Sequence, residues 1–129
     1  MNLELYFSPG ACSFVPHVAL EAIKGATGQA FEPKLVKLHK GEQKAPEYLA
    51  LNPHGQVPVL IADGQPLNQI VAICDYLDRR FPQAGLLPAE SWARARSARY
   101  CRASRCRSAT CRAARASTIS LPLPLFFLP

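Results

Sequence analysis

The stretch YFSPGACSFVPH, Tyr6 to His17, puts a single thiol, Cys12, between a Pro-Gly turn and a run with helical spacing. The thiolate is the reactive form of cysteine, and an unperturbed thiol, with a pKa of about 8.5, is mostly protonated at neutral pH. A helix start favours the anion through its unpaired N–H groups and the positive end of its dipole. Cys12 therefore stands where a reactive thiol is expected, although the spacing fits a small packed residue equally well. Ser13 adds a hydroxyl able to donate to the sulfur or to cap the helix. His17, one turn on, is assigned no role. Cys74 falls inside an apolar stripe and is read as a packing residue.

Two further features bear on the same chemistry. Gln56-Val57-Pro58 precedes an apolar run, and a proline there, lacking an N–H, suits the first position of a strand or a cis turn. A cis Pro58 would turn the backbone of Val57 outward, and an exposed N–H and C=O pair is a dock for the backbone of a bound peptide. Asn68-Gln69-Ile70 opens the last helix-patterned segment, whose free N–H groups attract a carboxylate. A thiol, a peptide dock and an anion site are thus predicted on separate segments.

The elements that must position them follow from periodicity. Asn2 to Phe7 alternates as a strand, SPGA is a turn, and Cys12 or Ser13 opens a helix whose apolar side is expected to be Phe14, Val18, Leu20 and Ile23. Phe31 to Leu38 reads as a second strand, moved toward a sheet edge by Pro33. HKGEQK is a polar loop, and APEYLAL a short helix stopped by Asn52-Pro53. Val57 to Ala62 is a buried strand, and a tight turn at Asp63-Gly64 pairs it with Pro66 to Asn68 as an antiparallel hairpin. From Gln69 to Phe81 the residues Ile70, Ile73, Cys74, Leu77 and Phe81 have helical spacing, with Asn68 as the expected cap. The order βαβαββα predicts an α/β fold, a four-stranded mixed sheet with a βαβ start, a hairpin finish and three helices.

At 129 residues the chain has room for one core. Its net charge of +6 is unevenly placed: residues 1–90 carry five Lys, two Arg and nine acids, whereas residues 91–129 carry eight Arg and no acid. Glycine ends at Gly85, and three of the five cysteines follow residue 100. The stretch CRASRCRSATCRAARAS spaces Cys by five, matching neither a helical stripe nor a zinc ribbon, so no metal site is expected. Residues 97–129 are expected to be an irregular or disordered tail of Arg, Ala, Ser and Cys with an apolar Pro/Leu end, a pattern that out-of-frame translation of a GC-rich gene would give. Without aromatics among its Arg residues the tail points to no nucleic-acid partner. LPLPLFFLP is far shorter than a bilayer span of about 20 residues, and the start of the chain reads as a strand rather than a secretory leader. Cytoplasmic placement, with reduced thiols, is the expectation.

LYFSPGACS, LALNPHGQVPVL, IVAICDYLDRRFP and the following GLLP together resemble the N-terminal, thioredoxin-like domain of bacterial glutathione transferases, above all the cysteine-containing beta class. The resemblance covers about residues 1–92. It implies that residues 1–82 bind glutathione as co-substrate and that the thiolate of glutathione is transferred to a small electrophilic substrate, a detoxification chemistry. It further implies that Cys12 meets the glutathione sulfur and can form a mixed disulfide with it, that Val57, before Pro58, pairs with the backbone of the ligand's cysteine, and that Lys40 holds the glycine carboxylate. Gln56 stands beside this set. Where the family usually has Glu-Ser, this chain has Gln69-Ile70: Gln69 offers the ligand's ammonium a neutral hydrogen bond only, while the Ile70 N–H remains able to meet the γ-glutamyl carboxylate. Family members continue into a helical domain, of which residues 83–96 give the linker and the start of a first helix; the homodimer usual in the family is left open here. The alternatives are glutaredoxin-like thiol-disulfide exchange through Cys12, and an inactive truncated protein.

Overall fold

Strand β1 (Leu3–Phe7) alternates strictly, sending Leu3 and Leu5 to one face of the sheet and Tyr6 to the other, as the two-residue period of a strand requires. Helix α1 (Phe14–Thr27) returns the chain to β2 (Glu32–Leu35), which lies parallel to β1. Two short 3-10 turns, Leu38–Lys40 and Glu42–Lys44, lead into α2 (Pro46–Leu51). The hairpin β3 (Val59–Ala62) and β4 (Gln65–Asn68) follows, with β3 antiparallel to both β1 and β4. Helix α3 (Ile70–Arg80) and α4 (Ser91–Ala103) complete the described chain. The structure, a computed structural model, describes residues 1–103, of which Arg99 to Ala103 only as helical backbone.

Strand order is β2-β1-β3-β4, the mixed four-stranded sheet that the element order predicts. Pro33 lies on the edge strand β2 and Pro66 on the opposite edge, where a missing N–H costs no ladder bond on the open side. One face of the sheet packs Leu3, Leu5 and Leu60 against Leu20 and Ile23 of α1 and Ile73 and Leu77 of α3. The other packs Val59 and Ile61 with Val36, Val57 and Tyr48 on the α2 side. Each such fully buried aliphatic side chain stabilises the fold by about 1.5–3 kcal/mol relative to exposure.

Several local expectations are corrected. The second strand ends at Leu35 rather than Leu38, because Leu38 already begins a 3-10 turn. The buried side of α1 is Pro16, Leu20 and Ile23, whereas Phe14 and Val18 are 69% and 49% exposed. Asn68 does not cap α3: the cap position is Gln69, and the Asn68 amide turns instead to Asn52. The helix opened by ESWARAR runs to Ala103, so the first seven residues of the stretch expected to be irregular are helical. The rest of that stretch, 104–129, with the last two cysteines of the repeat and the apolar end, lies outside the described residues.

Candidate functional site

The β1–α1 turn is held closed by one hydroxyl together with the backbone bond from the Ala11 N–H to the Ser8 carbonyl at 3.2 Å. Ser13, fully buried, accepts a hydrogen bond from the Ser8 N–H and donates one to the Ser8 carbonyl, both at 3.0 Å. Neither role expected of Ser13, donation to the sulfur or side-chain capping of α1, is the one it takes. Its bonds instead tie the two ends of the SPGAC turn together, and a buried hydroxyl needs such partners. Cys12 is thereby presented just ahead of the first residue of α1, Phe14.

Across from it the peptide bond between Val57 and Pro58 is cis, one of the two arrangements that a proline at this position suits. The Cys12 Sγ lies 3.5 Å from the Val57 carbonyl oxygen, a contact between residues 45 positions apart. The two segments, read separately from the sequence, therefore meet, with Val57 itself buried in the second core cluster.

The dock loop is held from behind. The Gln56 carbonyl accepts from the Tyr48 hydroxyl and from Asn52 Nδ2, each at 2.8 Å, so Gln56 supports the site through its backbone. Burial pushes the Tyr48 phenol well above its ordinary range, with Tyr6 beside it acting in the same direction, so the hydroxyl stays a donor throughout the physiological range. Gly55 takes φ +58°, and a Cβ there would fall 2.9 Å from the Gln43 carbonyl oxygen. This close approach packs the turn Glu42–Lys44 against the dock loop, with Lys40 exposed at the end of the preceding turn.

At the β4–α3 junction Gln69 adopts φ +73° and ψ +121°, an uncommon backbone state for a residue with a side chain, and its carbonyl accepts the Ile73 N–H at 3.0 Å. The Ile70 N–H then belongs to the first turn of α3, whose amides have no carbonyl of their own helix to bond. Asn68 Nδ2 donates to Asn52 Oδ1 at 3.4 Å, linking this junction to the dock loop. The structure thus brings Cys12 to Val57 and ties the Gln69-Ile70 segment to the same loop, with Lys40 one turn removed.

Sequence reasoning missed Ser8, Tyr48, Asn52 and Gly55 as supports. The NPHG segment reads as a helix stop, and only the rule that a buried amide must be bonded hints at more. Cys74 packs in α3, and His17 stands edge-on to Phe7 and Phe31 at 4.7 and 5.6 Å, beside an apolar groove. Among the described residues no group of three His, Cys, Asp or Glu is placed to hold a metal, and no helix is long and apolar enough to cross a membrane.

A mixed sheet of this order, with a βαβ start, a hairpin finish and a turn thiol facing a cis-proline, defines the thioredoxin-like class. Within that class the family described as glutathione S-transferase, N-terminal domain, matches residues 1–79. The chain belongs to this family. It is 42% identical over 95 residues to glutathione S-transferase 1 of Dianthus caryophyllus, covering 73% of this chain and 41% of that protein. It is 41% identical over 97 residues to a maleylacetoacetate isomerase of Pseudomonas aeruginosa, covering 74% and 44%. Among solved structures, a Sulfitobacter glutathione transferase homologue with bound glutathione superposes with a TM-score of 0.69 at 38% identity, over 79% of this chain and 49% of that one. A sphingomonad glutathione S-transferase complexed with glutathione gives 0.62 at 37% identity, over 77% and 49%. The chain spans less than half the length of these curated relatives.

Proposed function

We propose that residues 1–82 form a glutathione-binding unit, that 83–96 link it to a helical segment, and that the activity it serves is transfer of the glutathione thiolate to a small electrophile in the cytoplasm. The observation that carries this reading is the 3.5 Å contact of Cys12 Sγ with the Val57 carbonyl beside cis Pro58, in a chain of this family. The backbone of the ligand's cysteine pairs with Val57, which directs its sulfur toward Cys12. The γ-glutamyl carboxylate meets the Ile70 N–H at the start of α3, where the helix dipole favours an anion. Gln69 accepts from the ligand's ammonium, and Lys40 approaches the glycine carboxylate.

In the reaction the glutathione thiol gives up its proton to solvent. Its sulfur pair then forms a carbon–sulfur bond, either displacing a leaving group or adding across a polarised double bond. When the ligand occupies Val57, the Cys12 S–H is released from that carbonyl and donates to the incoming sulfur, stabilising its anion. The competing reading, glutathione-dependent thiol-disulfide exchange through Cys12, uses glutathione itself as the second thiol, and membership of the transferase family favours transfer over it.

Retention of the full chain on immobilised glutathione, with elution by free glutathione, is the expected result; absence of retention by the folded chain overturns the reading. Cys12→Ala keeps retention, and in the bound complex the glutathione thiol titrates at higher pH, because the hydrogen bond to the charged form is gone. Ultraviolet titration of the bound thiolate measures this shift. An unchanged titration removes Cys12 from the reaction.

A further inference from the structure

Asn52 is the residue on which α2 stops, and it is only 2% exposed. An amide at that depth needs partners for both ends. Its Nδ2 donates to the Gln56 carbonyl at 2.8 Å, and its Oδ1 accepts from the His54 N–H at 3.2 Å and from Asn68 Nδ2 at 3.4 Å. Gln56 is adjacent to the dock residue Val57, and Asn68 directly precedes Gln69-Ile70. One buried side chain therefore touches both segments that the proposed ligand must span.

Satisfying the Gln56 carbonyl does not require Asn52, since the Tyr48 hydroxyl already bonds it at 2.8 Å. The Asn68 arm is not needed to close the loop either, because the His54 N–H closes it locally. To the β3–β4 ladder, which pairs Val59 with Asn68, this side chain adds a direct tie between the dock loop itself and the β4–α3 junction. We propose that Asn52 is a positioning residue that, with this ladder, holds the Val57 dock and the start of α3 at a fixed spacing, so that glutathione is held at both ends at once. The proposal rests on the glutathione reading above. The distance between the ligand's cysteinyl backbone and its γ-glutamyl carboxylate is limited by covalent bonds, so two protein segments at a matching spacing bind it without a further ordering cost.

The test uses the full chain with Asn68→Ala, Asn52→Ala and the double substitution. Two probes are used: glutathione, which spans both segments, and cysteinylglycine, which lacks the γ-glutamyl group and reaches only the dock. Asn68→Ala removes one arm and leaves the loop's own bonds in place. It is expected to reduce the preference for glutathione over cysteinylglycine by about fivefold, the scale of one hydrogen bond. Adding it to Asn52→Ala is expected to reduce that preference no further, because both changes cut the same link. Equal weakening of both probes, as a merely structural role would give, overturns the proposal; so does full additivity. A ligand-free arm follows hydrogen exchange of the His54 amide, which Asn68→Ala is expected to accelerate by loosening the Asn52 amide. Unchanged exchange at His54 also overturns the coupling. Failure of the parent chain to bind glutathione defeats the functional reading alone, and the exchange arm then decides the coupling.

Discussion

Gln69 holds a backbone conformation, φ +73° and ψ +121°, that residues with a Cβ adopt at a cost on the order of 1–3 kcal/mol. The surrounding structure sustains it, with Ile73 bonded to its carbonyl and Asn68 anchored to Asn52 just before it. Its side chain is exposed, and in the proposed complex it accepts from the ligand's ammonium, where a carboxylate would add charge to a neutral hydrogen bond. Gln69→Glu is therefore expected to tighten glutathione binding by about fivefold or more at low salt, the gain shrinking as salt is added. Isothermal titration at two ionic strengths measures this, and an unchanged affinity places the ammonium elsewhere. At this scale the meeting of two segments was legible in part: Cys12 and Pro58 stand out by type and neighbours, and the fold brings the Cys12 sulfur to the Val57 carbonyl. The supporting side was not legible. Ser13 could bond the sulfur, the helix or the turn, and only the folded turn puts the Ser8 backbone within 3.0 Å of it.

Helix α4 shows how an element is held by carboxylates. Glu90 takes the N–H groups of Trp92 and Ala93 at 2.7 and 2.6 Å, and these backbone bonds hold its carboxyl below the usual range. Asp75 of α3 is likewise lowered, first by Arg94 of α4 at 2.6 Å and then by Arg79 at 2.7 Å, while Asp78 accepts the other Arg94 nitrogen. Because both folded-state values lie below the unfolded ones, the stabilisation is present above the ordinary carboxylate range and is lost as pH falls through the depressed values. Acidification below about pH 4 is therefore expected to loosen α4 from α3. The chain's one tryptophan, Trp92, sits in the first turn of α4 and reports this by its fluorescence. Glu90→Gln should flatten part of that acid transition, and an identical profile would remove Glu90 as its cause. Element types were legible because strand and helix periods differ. The choice of face was harder in α1: Phe14 and Val18 form one apolar stripe, Pro16 and Leu20 another, and residues two apart lie about 200° around a helix. Periodicity finds both stripes, and only the sheet decides which is buried.

The stripe that α1 leaves outward has consequences for the whole molecule. Phe14 and Val18, with Phe7, Pro9 and His17, wall an open groove of about 500 Å3. Its lining is mostly apolar. Contiguous apolar surface of this kind attracts other apolar surface, whereas single exposed hydrophobic side chains are ordinary. The full chain is accordingly expected to enhance the fluorescence of an apolar dye and to self-associate as its concentration rises. Replacing both Phe14 and Val18 by Ser should reduce dye binding and association together. Because neither side chain belongs to the core between the sheet and the helices, each replacement should change the unfolding free energy by less than about 0.5 kcal/mol. Dye titration, sedimentation and denaturant unfolding on the same samples separate surface stickiness from stability. Unchanged dye binding in the double variant would show that the groove is not the sticky surface, and a large loss of stability would show that Phe14 and Val18 pack more tightly than their exposure indicates.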